Sequence, residues 1–333
     1  MSKNTETPVI RALERQFYDE QKVKKASATL KSYQYHVDPF VSFLQKNEIE
    51  ADEITPKVVL SYREEYFDDH RALTIRGQLN SIKVFLRFLS KTTDLNTDIP
   101  ELIDIPDKPN SQRGDVVERE KMERILDHLN KYKYASRRHV LVRLMWDSGC
   151  RTGGIRSLDI IDFVTDRETI TLKHTPSEDT PLKTKENGER IVSLRPETAD
   201  LIVDYISQNR IDQTDEYGRE PLITTGHGRP SRSWYREEVY AVTRPCMTRE
   251  CPYDEEEDEC GANIRKNEAS QCSGTTGPHS IRRGRITDLL RNDIPPEMIS
   301  DRSDVGLDVI DENYDARSED EKLEQRRRFI DDL

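Results

Sequence analysis

The spacing of the apolar residues is the feature that most restricts the fold of this 333-residue chain. Within residues 73–89 apolar side chains return every three or four positions, and residues 29–46 follow the same rhythm. Such spacing is typical of amphipathic helices that bury one face. Pro39 lies inside residues 29–46 and predicts a kink or a break in that helix. Residues 8–96 are therefore predicted to form a helical N-terminal domain.

A proline-rich segment separates this region from a second one. Pro100, Pro106 and Pro109 fall within residues 97–115, a composition typical of a linker. Beyond it, two stretches have helical spacing and two shorter runs alternate as strands do. Asn187-Gly188 between those runs predicts a hairpin turn. The sequence thus predicts a mainly α-helical protein with a small antiparallel β-sheet, its second domain occupying residues 116–333.

Five side chains of the second domain have chemistry that suits a phosphate ester. Arg151 follows a Ser-Gly-Cys turn, and a guanidinium can hold phosphoryl oxygens with two parallel hydrogen bonds. Lys185 precedes the predicted hairpin turn, where an ammonium group can protonate a leaving oxygen. His279 and Arg282 are three residues apart and share a helix face, and Tyr314 follows them. Each residue alone has an ordinary structural explanation, so it is their order that carries information.

The order Arg, Lys, His-x-x-Arg, Tyr resembles the catalytic domain of the tyrosine recombinases, also called the phage integrase family. The resemblance extends over nearly the whole chain, because the helical N-terminal region and linker are similar to that family's SAM-like core-binding domain. The acidic composition and the Cys-rich segment before Pro-His-x-x-Arg-Arg-Gly are most similar to the family's Xer-like, halophilic archaeal branch. The resemblance implies a site-specific recombinase or integrase.

The resemblance also implies a role for each of the five residues. Arg151, His279 and Arg282 would hold the scissile phosphate, and Lys185 would protonate the departing 5′-oxygen. Tyr314 would attack the phosphorus and form a 3′-phosphotyrosyl link. The implied partner is double-stranded DNA, bound by a homotetramer. No metal, nucleotide cofactor or small-molecule substrate is implied for the chemistry.

Three positions depart from the family's pattern. Gly154 stands where the family often has an acidic residue, and Arg283 stands where a histidine is common. Val305 occupies the position, about nine residues before the tyrosine, that usually carries His or Trp. Arg302 is the candidate to make the phosphate contact of that missing side chain.

The net charge of −12 argues against a DNA-binding protein, because phosphate contacts favour an excess of Lys and Arg. Either the chain does not bind nucleic acid, or a local basic face binds it while an acidic surface keeps the protein soluble in concentrated salt. The ordered constellation favours the second interpretation. The candidate phosphate contacts in the N-terminal domain are Lys24, Lys25, Lys31, Arg76 and Lys83. No apolar run approaches a membrane span and residues 1–7 are polar, so we expect a cytoplasmic protein.

Four cysteines cluster in a predicted insertion over residues 246–272, away from Cys150. A cluster in a chain without a secretory signal favours metal over disulfides, and four thiolates can close a tetrahedral zinc site. The spacing lacks a Cys-x-x-Cys pair, so free thiols in a flexible insertion are an equal alternative. A structural zinc here would help to present His279. The candidate ligands are Cys246, Cys251, Cys260 and Cys272.

Three other functions compete with recombination. A type IB topoisomerase-like enzyme would share the nicking and rejoining chemistry, and would relax plasmids that lack a specific site. A DNA-binding protein of integrase ancestry with impaired catalysis would explain why Val305 and Gly154 depart from the family's pattern. Such a protein would, however, be expected to have lost at least one of the five candidate catalytic residues. An acidic two-domain protein without a nucleic-acid role would leave the constellation unexplained. The sequence gives neither the DNA site nor the direction of reaction.

Overall fold

The computed structural model describes residues 10–25, 27–67, 72–107, 116–253, 260–264 and 266–331. The chain forms two compact units, Met1–Ser111 and Gln112–Leu333. Residues 108–115 of the predicted linker and residues 254–259 of the predicted insertion lie outside the described residues. No described helix is long and apolar enough to cross a membrane.

The first unit is a bundle whose core is aromatic. Phe17 is fully buried, and its ring lies 5.2 Å from the ring of Phe85 and 5.6 Å from those of Tyr33 and Phe88. The predicted helix over residues 73–89 is confirmed with slightly wider bounds. The helices of this unit are α1 (Ile10–Lys24), α2 (Ser27–Lys46), α3 (Pro56–Phe67) and α4 (Ala72–Thr92).

Helix α2 passes through Pro39 as one helix, which excludes a break at this position, whereas a kink stays a prediction. Val37, Phe40 and Val41 flank the proline and are completely buried. Proline inside a helix costs about 3 kcal/mol. Burial of three apolar side chains contributes more than that, at roughly 1.5–3 kcal/mol each. Packing therefore keeps the helix continuous.

The second unit is also mainly helical and is built around α6. Helices α5, α8 and α11 pack against it, and Leu141, Leu144 and Met145 of α6 are buried. The helices are α5 (Arg119–Tyr132), α6 (Arg137–Ser148), α7 (Thr152–Ser157), α8 (Pro196–Gln208), α9 (Arg232–Thr243), α10 (Gly261–Ile264), α11 (Pro278–Arg291), α12 (Pro296–Ser303), α13 (Leu307–Val309) and α14 (Glu319–Asp331).

A three-stranded antiparallel sheet with the order β1-β2-β3 completes this unit. The strands are β1 (Phe163–Val164), β2 (Thr169–Leu172) and β3 (Arg190–Ser193). Ile170 pairs with Val192, and the β2–β3 ladder ends where Leu172 pairs with Arg190. The predicted fold class, mainly α with a small antiparallel sheet, is confirmed.

The tight hairpin at Asn187-Gly188 was a wrong prediction. Residues 173–189 connect the two strands, and the Asn-Gly pair lies in a 3₁₀ turn, Lys185–Gly188. Within the connection Leu182 is buried, and its N–H donates to His174 Nδ1 at 2.9 Å. A β-carbon on Gly188 would lie 2.5 Å from Thr184 Oγ1, so this glycine permits a close approach and is not needed for a left-handed turn. The connection has its own packing and hydrogen bonds, which outweigh the local turn preference.

A glycine in α11 gives a test of this packing. A β-carbon on Gly284 would lie 2.0 Å from the Val117 carbonyl oxygen and 3.3 Å from Trp146. We expect Gly284→Ala to lower the free energy of unfolding by about 1–3 kcal/mol through overpacking. Gly153→Ala is the matched control, because its nearest neighbour would be 4.0 Å away. Urea denaturation measures both, and equal stabilities would contradict the predicted close approach.

Candidate active site

Helix α6 ends in a left-handed glycine that positions the first arginine. Gly149 has φ 65° and ψ 14°, and it donates its N–H to the Met145 carbonyl oxygen at 3.1 Å. A β-carbon here would lie 2.9 Å from Ser303 Oγ, so glycine satisfies both the conformation and the space. Arg151 then caps the start of α7. The guanidinium therefore extends from a fixed turn between two helices.

The side chain of Arg282 is buried, with 1% exposed, and joins three segments of the chain. Its Nη1 donates to the carbonyl oxygens of Gly149 at 2.8 Å and Ser303 at 2.6 Å, and its Nη2 donates to the Asp304 carbonyl oxygen at 3.4 Å. Its Nε donates to the Tyr314 hydroxyl oxygen at 3.3 Å. Burial lowers the pKa of this guanidinium, but arginine stays charged at neutral pH. One cation thus ties the turn before Arg151 to the tyrosine.

Tyr314 ends a π-helical turn, Ile310–Tyr314, and is held from two sides. Its ring centroid lies 5.2 Å from Arg282 Cζ, and its carbonyl oxygen accepts a hydrogen bond from Thr287 Oγ1 at 2.7 Å. The half-buried ring packs against the apolar cluster that contains Ile310. Backbone and side chain are both fixed, so the hydroxyl group has a defined position beside Arg282.

An open cleft of about 940 Å³ runs along this site. Its cationic lining residues are Arg151, Lys183, Arg190 and Arg302, and Tyr314 lines it as well. The carboxylate of Asp304 accepts hydrogen bonds from Arg151 Nη1 and, at 2.7 Å, from Thr184 Oγ1. The cleft therefore combines a phenol, four cations and three acidic residues, of which Asp304 is paired with Arg151.

The structure favours Lys183 over Lys185 as the lysine of the site. Lys185 has φ 57° in its 3₁₀ turn and is not among the residues that line the cleft, whereas Lys183 is. The positive charge of Lys183 also contributes to lowering the pKa of His279. Lys185 was selected because it directly precedes Asn-Gly, and that reason disappears with the hairpin. The only sequence signal for Lys183 was its presence in Leu-Lys-Thr-Lys.

His279 lies exposed in the first turn of α11, one residue after Pro278. Desolvation by the atoms around the ring, followed by the charges of Arg282, Lys183 and Arg151, lowers the pKa of His279 below its ordinary value. The positive charges of Arg282, Lys183 and Arg151 therefore lie near His279 at the start of α11. A neutral imidazole there can donate one hydrogen bond and accept another.

Val305, the departure near α12, and Arg302, its candidate substitute, have different surroundings. Val305 is 6% exposed and packs in the apolar cluster with Ile299, so its position supplies no polar group to the site. Arg302 lines the cleft, and its Nη2 donates to the carbonyl oxygens of Asp147 at 2.9 Å and Ser193 at 2.8 Å. Arg302 therefore lines the cleft, but its Nη2 already donates to two backbone carbonyl oxygens.

The other two departures are accommodated by packing and backbone contacts. Gly154 is buried, and a β-carbon on it would lie 3.5 Å from Leu172 of β2. Arg283 donates from Nε to the Asn313 carbonyl oxygen, next to the tyrosine. Arg283 thus supports the Tyr314 segment from the same helix as Arg282.

Sequence reasoning missed three further residues of the cleft. Arg190 of β3 donates from Nε to the Arg302 carbonyl oxygen at 2.9 Å and from Nη2 to Cys150 Sγ at 3.2 Å. Thr184 lies in the connection before β3, and its hydroxyl group donates to the Asp304 carboxylate at the end of α12. No motif marks any of the three, since the contacts that bring them to the cleft join positions far apart in sequence.

The candidate DNA contacts of the first unit divide into two groups. Lys83 pairs with Glu101 at 2.9 Å, Arg76 donates to the Pro106 carbonyl oxygen at 2.6 Å, and Lys24 pairs with Glu20. Lys25 and Lys31 are exposed. Three of the five candidates therefore already take part in intramolecular contacts.

The four clustered cysteines are half-buried free thiols. Burial raises the pKa of Cys246, and the nearby Cys272 and Cys251 thiols add to the effect. Within the described part of the chain, no three His, Cys, Asp or Glu residues are placed to hold a metal ion. The described geometry does not form the expected tetrahedral centre, and zinc stays a prediction.

Part of the second unit matches a known protein family. Residues 115–239 match the model of the phage integrase family. A probable integrase/recombinase protein of Methanocaldococcus jannaschii is 25% identical over 162 residues, which are 49% of this chain and 40% of that protein. These matches support the tyrosine recombinase, or phage integrase, family for this chain. The chain spans about two fifths of the length of that curated relative.

Several solved recombinases share the fold of this chain. The Tn1549 transposon integrase in complex with a circular intermediate DNA has a TM-score of 0.66 at 14% identity, covering 94% of this chain and 98% of that one. XerH bound to a palindromic difH substrate has a TM-score of 0.64 at 12% identity, covering 90% and 79%. A lambda integrase tetramer bound to a Holliday junction also has a TM-score of 0.64 at 12% identity, covering 95% and 80%.

The convergence of charges on His279 is testable by titration. We expect NMR titration of the ring to give a pKa below that of an unstructured histidine, and Arg151→Ala to raise it by removing a nearby positive charge. Arg195→Ala is the control, since Arg195 contacts Asp147 and is not among the charges acting on His279. Because the folded-state pKa is lowered, His279 contributes stability that is present above the unfolded-state pKa and is lost as the pH falls below it. An unchanged pKa in Arg151→Ala would contradict the geometry.

Proposed function

We propose that this protein is a site-specific DNA recombinase that cleaves and rejoins strands through a 3′-phosphotyrosyl intermediate. The observation that carries the proposal is the hydrogen bond between Arg282 and the Tyr314 hydroxyl oxygen, 3.3 Å long, beside a cleft that also contains Arg151 and Lys183. A nucleophile next to several cations suits attack on an anionic phosphodiester. The recombinase fold and the family match support the same reaction class.

The proposed cleavage step uses side chains alone. The Tyr314 oxygen attacks the phosphorus, its proton passes to a base such as neutral His279, and an O–P bond forms. The bond between phosphorus and the 5′-oxygen breaks, and Lys183 donates a proton to that oxygen. The released 5′-hydroxyl group, or that of a partner strand, attacks in turn, restores the phosphodiester and frees the tyrosine. The number of phosphoester bonds is unchanged, so no external energy source is required.

The cations supply what the reaction needs near neutral pH. A phenol has an ordinary pKa of about 10 and is a weak nucleophile at pH 7. Positive charges beside a phenol favour its anion, and the same charges stabilise the phosphoryl oxygens in the transition state. Removal of one such preorganised donor costs on the order of 10²–10³ in rate in other enzymes. Arg151 is the cleft arginine whose loss should have that effect.

The proposed partner is double-stranded DNA, held by a homotetramer. The solved relatives are complexes with DNA, and one is a tetramer on a Holliday junction. The net charge of −12 fits our proposal that the protein works in concentrated salt in the cytoplasm, with binding confined to a local cationic face. Assays are therefore best run over a range of salt concentrations.

A suicide substrate tests the nucleophile. Nicked duplexes from the neighbourhood of the gene are incubated with the protein, and covalent protein–DNA complexes are separated on a denaturing gel. We expect a covalent band with the natural protein and none with Tyr314→Phe, since phenylalanine has no nucleophilic oxygen. Tyr240→Phe is the matched control and should retain the band. A band that persists in Tyr314→Phe would refute this assignment.

The same assay separates the two lysines. We expect Lys183→Ala to slow cleavage by about 10²-fold or more, in the range typical of general acid catalysis. Lys185→Ala should leave the rate within a few fold, because Lys185 does not line the cleft. A substrate with a 5′-thiol leaving group, which needs no protonation, should restore cleavage by Lys183→Ala. Slow cleavage by Lys185→Ala and normal cleavage by Lys183→Ala would instead identify Lys185 as the lysine that protonates the 5′-oxygen.

A DNA-binding protein with impaired catalysis is the second candidate function. The observations in its favour are the apolar Val305 at a position usually polar in the family and the pairing of Arg151 with Asp304. DNA binding without any covalent complex would support it. Relaxation of plasmids without a specific site would support topoisomerase-like activity instead.

A further inference from the structure

Asp304 is one of three acidic residues that line the cleft, and it is the one that pairs with Arg151. Its side chain is 16% exposed and pairs with Arg151, and the Thr184 hydroxyl group donates to the same carboxylate oxygen at 2.7 Å. The residue follows the last turn of α12 and has φ 52° and ψ 66°. Aspartate and asparagine adopt this left-handed conformation more readily than other residues apart from glycine. The backbone at this position therefore suits an aspartate, and it brings the carboxylate to Arg151.

The backbone of Asp304 is held independently of its side chain. Its N–H donates to the Ser300 carbonyl oxygen, and its own carbonyl oxygen accepts from Arg282 Nη2 at 3.4 Å. The next residue, Val305, also donates its N–H to the Ser300 carbonyl oxygen at 3.2 Å. The carboxylate can consequently rotate away from Arg151 without unfolding the end of α12.

The two arginines of the site differ in what they offer to an incoming anion. The buried Arg282 directs its Nη atoms to backbone carbonyl oxygens. Arg151 is 20% exposed at the cleft, and its ion-pair partner is the Asp304 side chain. Carboxylates and phosphates are interchangeable partners for a guanidinium, because both present oxygens in matching geometry. An anion that enters the cleft to bind Arg151 therefore has to displace the Asp304 carboxylate.

We propose that the Asp304 carboxylate is an internal substitute for the phosphate: it occupies the phosphate position on Arg151 in the free protein and has to leave when a phosphodiester enters. This inference rests on the proposed function. Thr184 is adjacent to Lys183, so the departure of Asp304 also releases the segment that carries the lysine. The contact is autoinhibitory, since the charge of Arg151 stays neutralised until a phosphate competes for it.

Binding of inorganic phosphate to the full chain tests the substitution directly. Calorimetry compares the natural protein with Asp304→Asn, which keeps the size of the side chain, tolerates a left-handed backbone and removes the charge. We expect phosphate to bind roughly tenfold more tightly to this variant, because a competing anion is lost. The gain should disappear in the double variant with Arg151→Ala. Asp304→Gly, which has no strain at positive φ, should show the same gain if Asn disturbs folding.

Asp301→Asn is the matched control, because Asp301 is an exposed acid of the same cleft that does not contact Arg151. Its phosphate affinity should change less than twofold. An equal gain in this control, or unchanged affinity in both Asp304 variants, would overturn the inference. A covalent DNA complex with the natural protein but no phosphate gain in the variants would refute the substitution and leave the proposed function intact. Phosphate gain without any covalent complex would support the substitution and count against recombination.

Discussion

The hydrogen bonds of the buried Arg282 guanidinium are the interaction on which the rest of the site depends. They reach the carbonyl oxygens of Gly149 and Ser303 and the hydroxyl oxygen of Tyr314. A buried charge without partners is costly, so the chain has to keep these acceptors in place. The turn that carries Arg151 and the turn that carries the tyrosine are therefore positioned by the same cation. A guanidinium suits this task because its donors point in several fixed directions, whereas an ammonium group is a single point charge.

The acidic composition and the cationic cleft are compatible because charges in the second unit are paired locally. Asp147 is fully buried and accepts from Arg195 Nε at 3.0 Å, close to Arg302, and Asp304 pairs with Arg151. Such partly buried pairs are screened by salt less than exposed ones. Net charge thus describes the solvated surface and says little about the cleft.

The fold class was predictable from local sequence, whereas the fine geometry of the site was not. Helical spacing located α4 within a few residues, and the Ser-Gly-Cys-Arg turn located Arg151 because a left-handed glycine can be inferred from neighbouring residues. The lysine was assigned to Lys185 through an Asn-Gly turn signal, but long-range packing of residues 173–189 decided the conformation. Asp304 had no signal at all, because its role arises only when α12 meets α7 and the segment before β3.

Hydrogen exchange in Arg282→Lys tests the central claim that one guanidinium holds the site together. Mass spectrometry of the natural protein and the variant would follow the amides of residues 147–151, 302–306 and 310–315. The account predicts faster exchange in all three segments, since lysine cannot reach the three sets of acceptors together. It predicts unchanged exchange in α8, which contains none of the acceptors of Arg282. Faster exchange confined to α11 would contradict it and would show that each turn is stable without Arg282.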